Sequence, residues 1–112
     1  MVAFTHVRGG GELGAAWNEG GIGKNRENGL NDLLAAAEFL QSKGFTDKKH
    51  LSLEGGSNGG FMTAAAVNAR PDLFGCAFAK VPVADMLRYH QFTIGNSWIA
   101  EFGFAKDSDQ FD

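Results

Sequence analysis

The chain reads as an α/β protein in which parallel strands alternate with helices and the sheet is incomplete. Apolar, β-prone runs alternate with a helical stripe of period 3.6. The run "GCAFAKVPV", residues 75–83, is apolar without alternation, as in a strand covered on both faces. In "LSLEGGSNGGFM", residues 51–62, an apolar run leads through a glycine-bracketed serine into a helix-compatible run. Three strands are the most these runs supply, so the edges of a parallel sheet would stay open.

The elements follow in order. "VAFTHV", Val2 to Val7, has the branched and aromatic residues of a short strand and stops at Arg8-Gly9-Gly10-Gly11. A loop is expected from there to about Asn28. Leu30, Leu33, Leu34, Ala37 and Leu40 form one helical stripe, with Asn28 or Asn31 as N-cap and Gly44 as the left-handed residue that ends it. "HLSLEGG" supplies a strand of four or five residues, and "NGGFMTAAAVNAR" a helix that Pro71 forces to end. The Gly75–Val83 run is the third strand, "ADMLRYHQF" is expected to be helical, and the tail from Gly95 to Asp112 is aromatic-rich and irregular.

Bulk properties narrow the function. The 112 residues suit one small domain, and 10 basic against 13 acidic residues, net −3, show no block of like charge that would attract nucleic acid or an anionic membrane. No apolar run approaches the roughly 20 residues of a membrane span, so a soluble protein is expected. Cys76 is the only cysteine. No internal disulfide can form, and its apolar neighbours predict a core thiol in a reducing, cytoplasmic setting. The N-terminus lacks the pattern of a secretory signal. His6, His50 and His90 have no ligand spacing, so neither metal nor cofactor is expected.

Gly55-Gly56-Ser57-Asn58-Gly59 matches G-x-S-x-G with a strand before it and a helix after it, the context in which such a serine is a nucleophile. The turn strains the serine backbone and lifts Oγ above the sheet. Gly55 and Gly59 are expected to be bare because the chain packs tightly on either side. The N–H of Asn58, directly after the nucleophile, is expected to face a developing oxyanion. A phosphate-cradling loop is the competing reading, but no lysine lies between Lys49 and Lys80 and the glycine spacing fits no dinucleotide fingerprint. Glu54, just before the turn, is either a surface group or a support for it.

Beyond that motif, "RGGGELG" with Trp17 and Gly20-Gly21, then Asp32, Ala36 and Leu40, then Gly55 to Met62, together resemble the catalytic domain of the prolyl oligopeptidase family of serine peptidases. The similarity continues through "NARPDLFGCAFAKVPVADMLRYHQFTIGNSW" to "EFG" and covers nearly the whole chain. It implies a partial α/β-hydrolase fold over residues 1–112, without the β-propeller that screens substrates in that family. It implies that Ser57 is acylated, that the Asn58 N–H is one oxyanion donor, and that Trp98 stacks on a substrate proline ring with Val83 and Phe102 as further apolar wall. The family usually has tyrosine where Phe102 stands.

The resemblance also implies short proline-containing peptides as substrates, cleaved on the carboxyl side of proline. A serine in this fold needs an acid and then a histidine later in the chain. Only His90 follows Ser57, with Asp72 and Asp85 between them, but a single strand separates them where the fold requires more. The resemblance therefore implies that acid and base lie beyond Asp112, and that the segment is inactive without the rest of its parent. A basic-specific oligopeptidase or an esterase on the same fold, and a non-catalytic truncated product, are the alternatives.

Overall fold

In the computed structural model, which describes residues 1–110, the strand β1 (Ser52–Gly56) pairs in parallel with β2 (Cys76–Lys80), in register from Ser52 opposite Cys76 to Gly56 opposite Lys80. The helix α3 (Asn58–Ala69) joins them and packs on both, a βαβ unit. It belongs to a unit spanning Leu30–Val83, which also takes in most of helix α2 (Arg26–Ser42). Leu33 and Ala37 of α2, Gly60, Thr63 and Ala66 of α3, and Leu73 and Phe74 before β2 are its buried residues. Two polar ties fasten α2 to the segment that follows α3. Gln41 Nε2 donates to the Leu73 carbonyl at 2.7 Å, and Arg70 Nη1 meets Glu38 Oε1 at 2.5 Å.

The α2 stripe faces inward as its period requires, and Gly44 (φ 72) ends the helix while the Phe45 N–H reaches back to the Leu40 carbonyl at 3.0 Å. Its start is earlier than the caps suggested. A 3-10 turn, Gly23–Asn25, runs straight into Arg26, so Asn28 and Asn31 lie within the helix. Asn28 Nδ2 instead donates to the Gly20 carbonyl at 2.9 Å.

Two expectations for β2 fail together. All five of its residues are exposed, and so is Cys76, which is not a core thiol. Among the described residues the sheet has two strands with α3 packed on them, and a strand is buried on both faces only where both faces are covered.

The second unit comprises Met1–Gly29 and the chain from Ala84 onward. Residues 2–7 are not a strand, and Val2 and Phe4 are 79% and 86% exposed. Branched residues favour extended backbone, but a strand exists only when a neighbour accepts its ladder of hydrogen bonds. The glycine loop that follows clasps itself through α1 (Ala15–Glu19). Trp17 Nε1 donates to the Val7 carbonyl at 2.9 Å, Asn18 Nδ2 to the Gly9 carbonyl at 2.6 Å, and the Gly9 N–H to the Trp17 carbonyl at 3.1 Å. A Cβ on Gly21 would stand 2.1 Å from the Arg8 carbonyl carbon, which is why that position is bare.

The expected helix at "ADMLRYHQF" is a 3-10 turn, Tyr89–Gln91. Asp85 turns the chain with its side chain, accepting from the Arg88 N–H at 3.1 Å and from Arg88 Nε at 2.8 Å, an alternative to helix that short acidic residues offer the backbone. Beyond it come a 3-10 turn, Gly95–Trp98, the short helix α4 (Ile99–Phe102) and a further 3-10 turn, Ser108–Gln110. Tyr89, 4% exposed, anchors this region by donating its hydroxyl to the Gly103 carbonyl.

Candidate active site

Ser57 is the single residue between the last position of β1 and the first of α3, with φ 54 and ψ −116. A non-glycine residue there costs about 1–3 kcal/mol, which the surrounding packing must offset. Four features hold it there. The Ser57 N–H donates to the Lys80 carbonyl of the neighbouring strand at 3.0 Å, and the Ser57 carbonyl accepts from the Phe61 N–H at 3.0 Å. A Cβ on Gly55 would lie 2.2 Å from the Gly59 carbonyl oxygen and 2.7 Å from Thr63 Oγ1. A Cβ on Gly60 would lie 2.5 Å from the Lys80 carbonyl oxygen and 3.2 Å from the Pro82 Cα.

The tight pair is therefore Gly55 and Gly60. Gly59, expected to be bare for want of room, has open space where a side chain would project. Its place in the first turn of α3 explains this: its carbonyl turns toward Gly55 while its Cα faces outward. Sequence reasoning missed Gly60 and the buried Thr63. The doubled glycine was the available signal for the former, and nothing in the sequence singled out the latter.

Serine is a favoured N-cap, yet Ser57 makes no capping bond with its side chain and is exposed. Its hydroxyl is thus presented outward. Asn58 is the first helical residue, also exposed, and its N–H stands at the positive end of the α3 dipole. Three residues before Ser57 in β1, Glu54 forms a cross-strand ion pair with Lys80 Nζ, both side chains being exposed. That pair accounts for Glu54.

The histidines and intervening acids have other partners. His50 and Asp47 form a 2.7 Å pair, chemically a suitable dyad, but they precede β1 whereas Ser57 follows it. At about 3.3 Å per strand residue the separation is on the order of 20 Å. The Asp47 carboxyl is held below its ordinary value, chiefly by the His50 side chain. His6 faces Glu12 at 3.5 Å.

His90 stacks edge-on against Phe104 (5.0 Å) and Tyr89 (5.8 Å), and among the described residues neither ring nitrogen has a hydrogen-bond partner, nor the carboxylate that would orient a base. Asp72 is gripped by Arg70 at 2.7 and 2.8 Å, which brings its carboxyl down to about 2. Asp85 is lowered in the same way by Arg88. Among the described residues, no cluster of three or more histidine, cysteine or acidic groups could hold a metal, and no helix is long and apolar enough to cross a membrane.

Trp98 is half-buried, with its ring edge-to-face to Phe102 at 6.4 Å. Phe102 is a packing hub: Tyr89 meets it at 5.4 Å, and the Arg26 guanidinium lies 4.2 Å from the ring centroid while pairing with Glu101 at 2.8 Å. Val83, in the βαβ unit, is half-buried.

The geometry defines a parallel α/β unit that presents a strained, exposed serine at a strand-to-helix turn. Residues 1–112 match the prolyl oligopeptidase family. A prolyl endopeptidase of Dictyostelium discoideum is 47% identical over 112 residues, which is all of this chain and 15% of that protein. Prolyl oligopeptidase B of Galerina marginata, solved bound to a 25mer macrocyclization substrate, superposes with a TM-score of 0.91 at 36% identity, covering 95% of this chain and 15% of that one. Oligopeptidase B of Trypanosoma brucei with covalently bound antipain superposes with a TM-score of 0.91 at 40% identity, covering 96% of this chain and 16% of that one. The chain belongs to the prolyl oligopeptidase family, a family of serine peptidases, and spans about 15% of the length of the curated relative it matches.

Proposed function

We propose that this chain supplies the nucleophile elbow of an α/β-hydrolase peptidase that cleaves short peptides on the carboxyl side of proline. The observation that carries the reading is Ser57, strained at φ 54, exposed, and seated between glycines whose bare Cα atoms meet backbone. Ser57 Oγ attacks the prolyl carbonyl and its proton passes to a base. The oxyanion accepts from the Asn58 N–H, the C–N bond breaks as the amine takes the proton, and water then hydrolyses the acyl ester. The base, its acid and the size-screening propeller come from the rest of a longer polypeptide.

Trp98 receives the substrate proline ring, a flat group without N–H for which an indole face is a large apolar platform, and Val83 and Phe102 add apolar wall. Peptides are its partners, with no nucleic acid, membrane or cofactor. Its setting is cytoplasmic, where the exposed Cys76 stays a thiol. In the longer polypeptide, a fluorophosphonate should label Ser57 and the Ser57→Ala variant should take up none; a labelled alanine variant refutes the assignment. Trp98→Ala should lower kcat/KM for a prolyl amide by about 10–100-fold, against less than threefold for acylation by a small ester. Equal losses would make Trp98 structural.

The 40% identity to an oligopeptidase B keeps a basic-specific peptidase as the second reading. Paired arginyl and prolyl amides distinguish the two, since the favoured reading requires the prolyl amide to be cleaved faster.

A further inference from the structure

Among the described residues, two non-glycine residues besides Ser57 have positive φ, and one of them, Val81 at φ 40, directly follows β2. Valine is a poor residue for that conformation, since its branched Cβ crowds the backbone, and the Pro82 after it restricts the position further. The side chain gains nothing that would offset the cost, being 81% exposed. The residues on either side of it are what hold the bend. Lys80 puts its carbonyl into the space above the bare Gly60 Cα and accepts the Ser57 N–H at 3.0 Å, and Pro82 closes over the same Gly60.

The two strained residues thus stand at the carboxyl ends of neighbouring parallel strands, joined by one hydrogen bond through Lys80. Strain of this kind persists where the surroundings over-determine it, and it gathers at functional sites.

We propose that Val81 is a positioning residue for Ser57: its strained bend, locked between Lys80 and Pro82, fixes the Lys80 carbonyl that holds the nucleophile's backbone. The inference rests on Ser57 being the nucleophile. Glycine at 81 would adopt φ 40 without strain, but it would also open other backbone states to the bend and so loosen the carbonyl. A valine before proline allows few alternatives. Val81 touches no reacting atom and acts through Lys80.

The test uses the full-length peptidase that carries these residues, comparing Val81→Gly and Val81→Ile with the wild type by thermal midpoint, rate of fluorophosphonate acylation, and kcat and KM on a prolyl amide. Val81→Gly should keep or raise the midpoint, because strain is released, while acylation and kcat fall about tenfold and KM stays within twofold. Val81→Ile, equally branched, should keep the wild-type acylation rate. Wild-type acylation by Val81→Gly overturns the proposal, and so does a loss of rate that merely follows a fall in midpoint. Absence of labelling at Ser57 in the wild type would instead overturn the underlying assignment of the nucleophile.

Discussion

The two units hold their backbones in opposite ways. In Leu30–Val83, regular ladders do most of the work: a five-residue parallel register and two helices satisfy the main chain, and Gln41 on the Leu73 carbonyl is a side-chain tie beside them. In the other unit, main-chain carbonyls are claimed by side chains, with Trp17 on Val7, Asn18 on Gly9, Asn28 on Gly20 and Tyr89 on Gly103. The difference teaches where each can be broken. The first unit is sensitive to added atoms at close backbone contacts, and the second to the loss of single polar groups.

The largest effect expected from this contrast is at Gly55. Gly55→Ala places a methyl 2.2 Å from the Gly59 carbonyl, so the start of α3 must move. We expect a loss of about 1–3 kcal/mol or more in denaturant unfolding and about 100-fold slower labelling of Ser57. Gly59→Ala separates the steric argument from the sequence motif. With open space and a helical backbone it should unfold no more readily than the wild type, with a gain of up to about 1 kcal/mol. A loss as large as that at Gly55 would return Gly59 to the tight pair.

A smaller effect sharpens the other side. Tyr89→Phe removes a buried hydroxyl and leaves the Gly103 carbonyl unpaired, which should cost about 1–2 kcal/mol in thermal unfolding. A neutral result would mean that ring packing alone holds that unit.

The smallest effect is the acid limb at Asp72. Its carboxyl is lowered from 3.8 to about 2 by Arg70, so the pair's contribution is present above pH 4 and is lost as pH falls from about 4 to 2. Because the pair is exposed, the effect should be slight and should shrink in added salt. Asp72→Asn should flatten the stability profile across that window, and an unchanged slope would show that the pair contributes nothing.

Local chemistry was legible where its causes were local. The α2 stripe, Gly44 at its end and the strand–serine–helix order can be read directly, because side-chain period, left-handed glycine and motif context act over a few residues. The strand at residues 2–7 and the buried β2 misled because both depend on neighbours distant in the chain, and a branched run looks the same whether or not a second strand pairs with it.

By itself the sequence determined which residue carries the hydroxyl and that a sharp turn presents it, since a serine between glycines at the end of an apolar run leaves the backbone few other courses. Only the tertiary structure decided that Gly60 rather than Gly59 bears the close contact, and that the Lys80 carbonyl beside the bend at Val81 accepts the Ser57 N–H. The physical reason is distance along the chain: these contacts join residues from separate elements, and a steric limit of a few tenths of an ångström between them leaves no trace in the order of the letters.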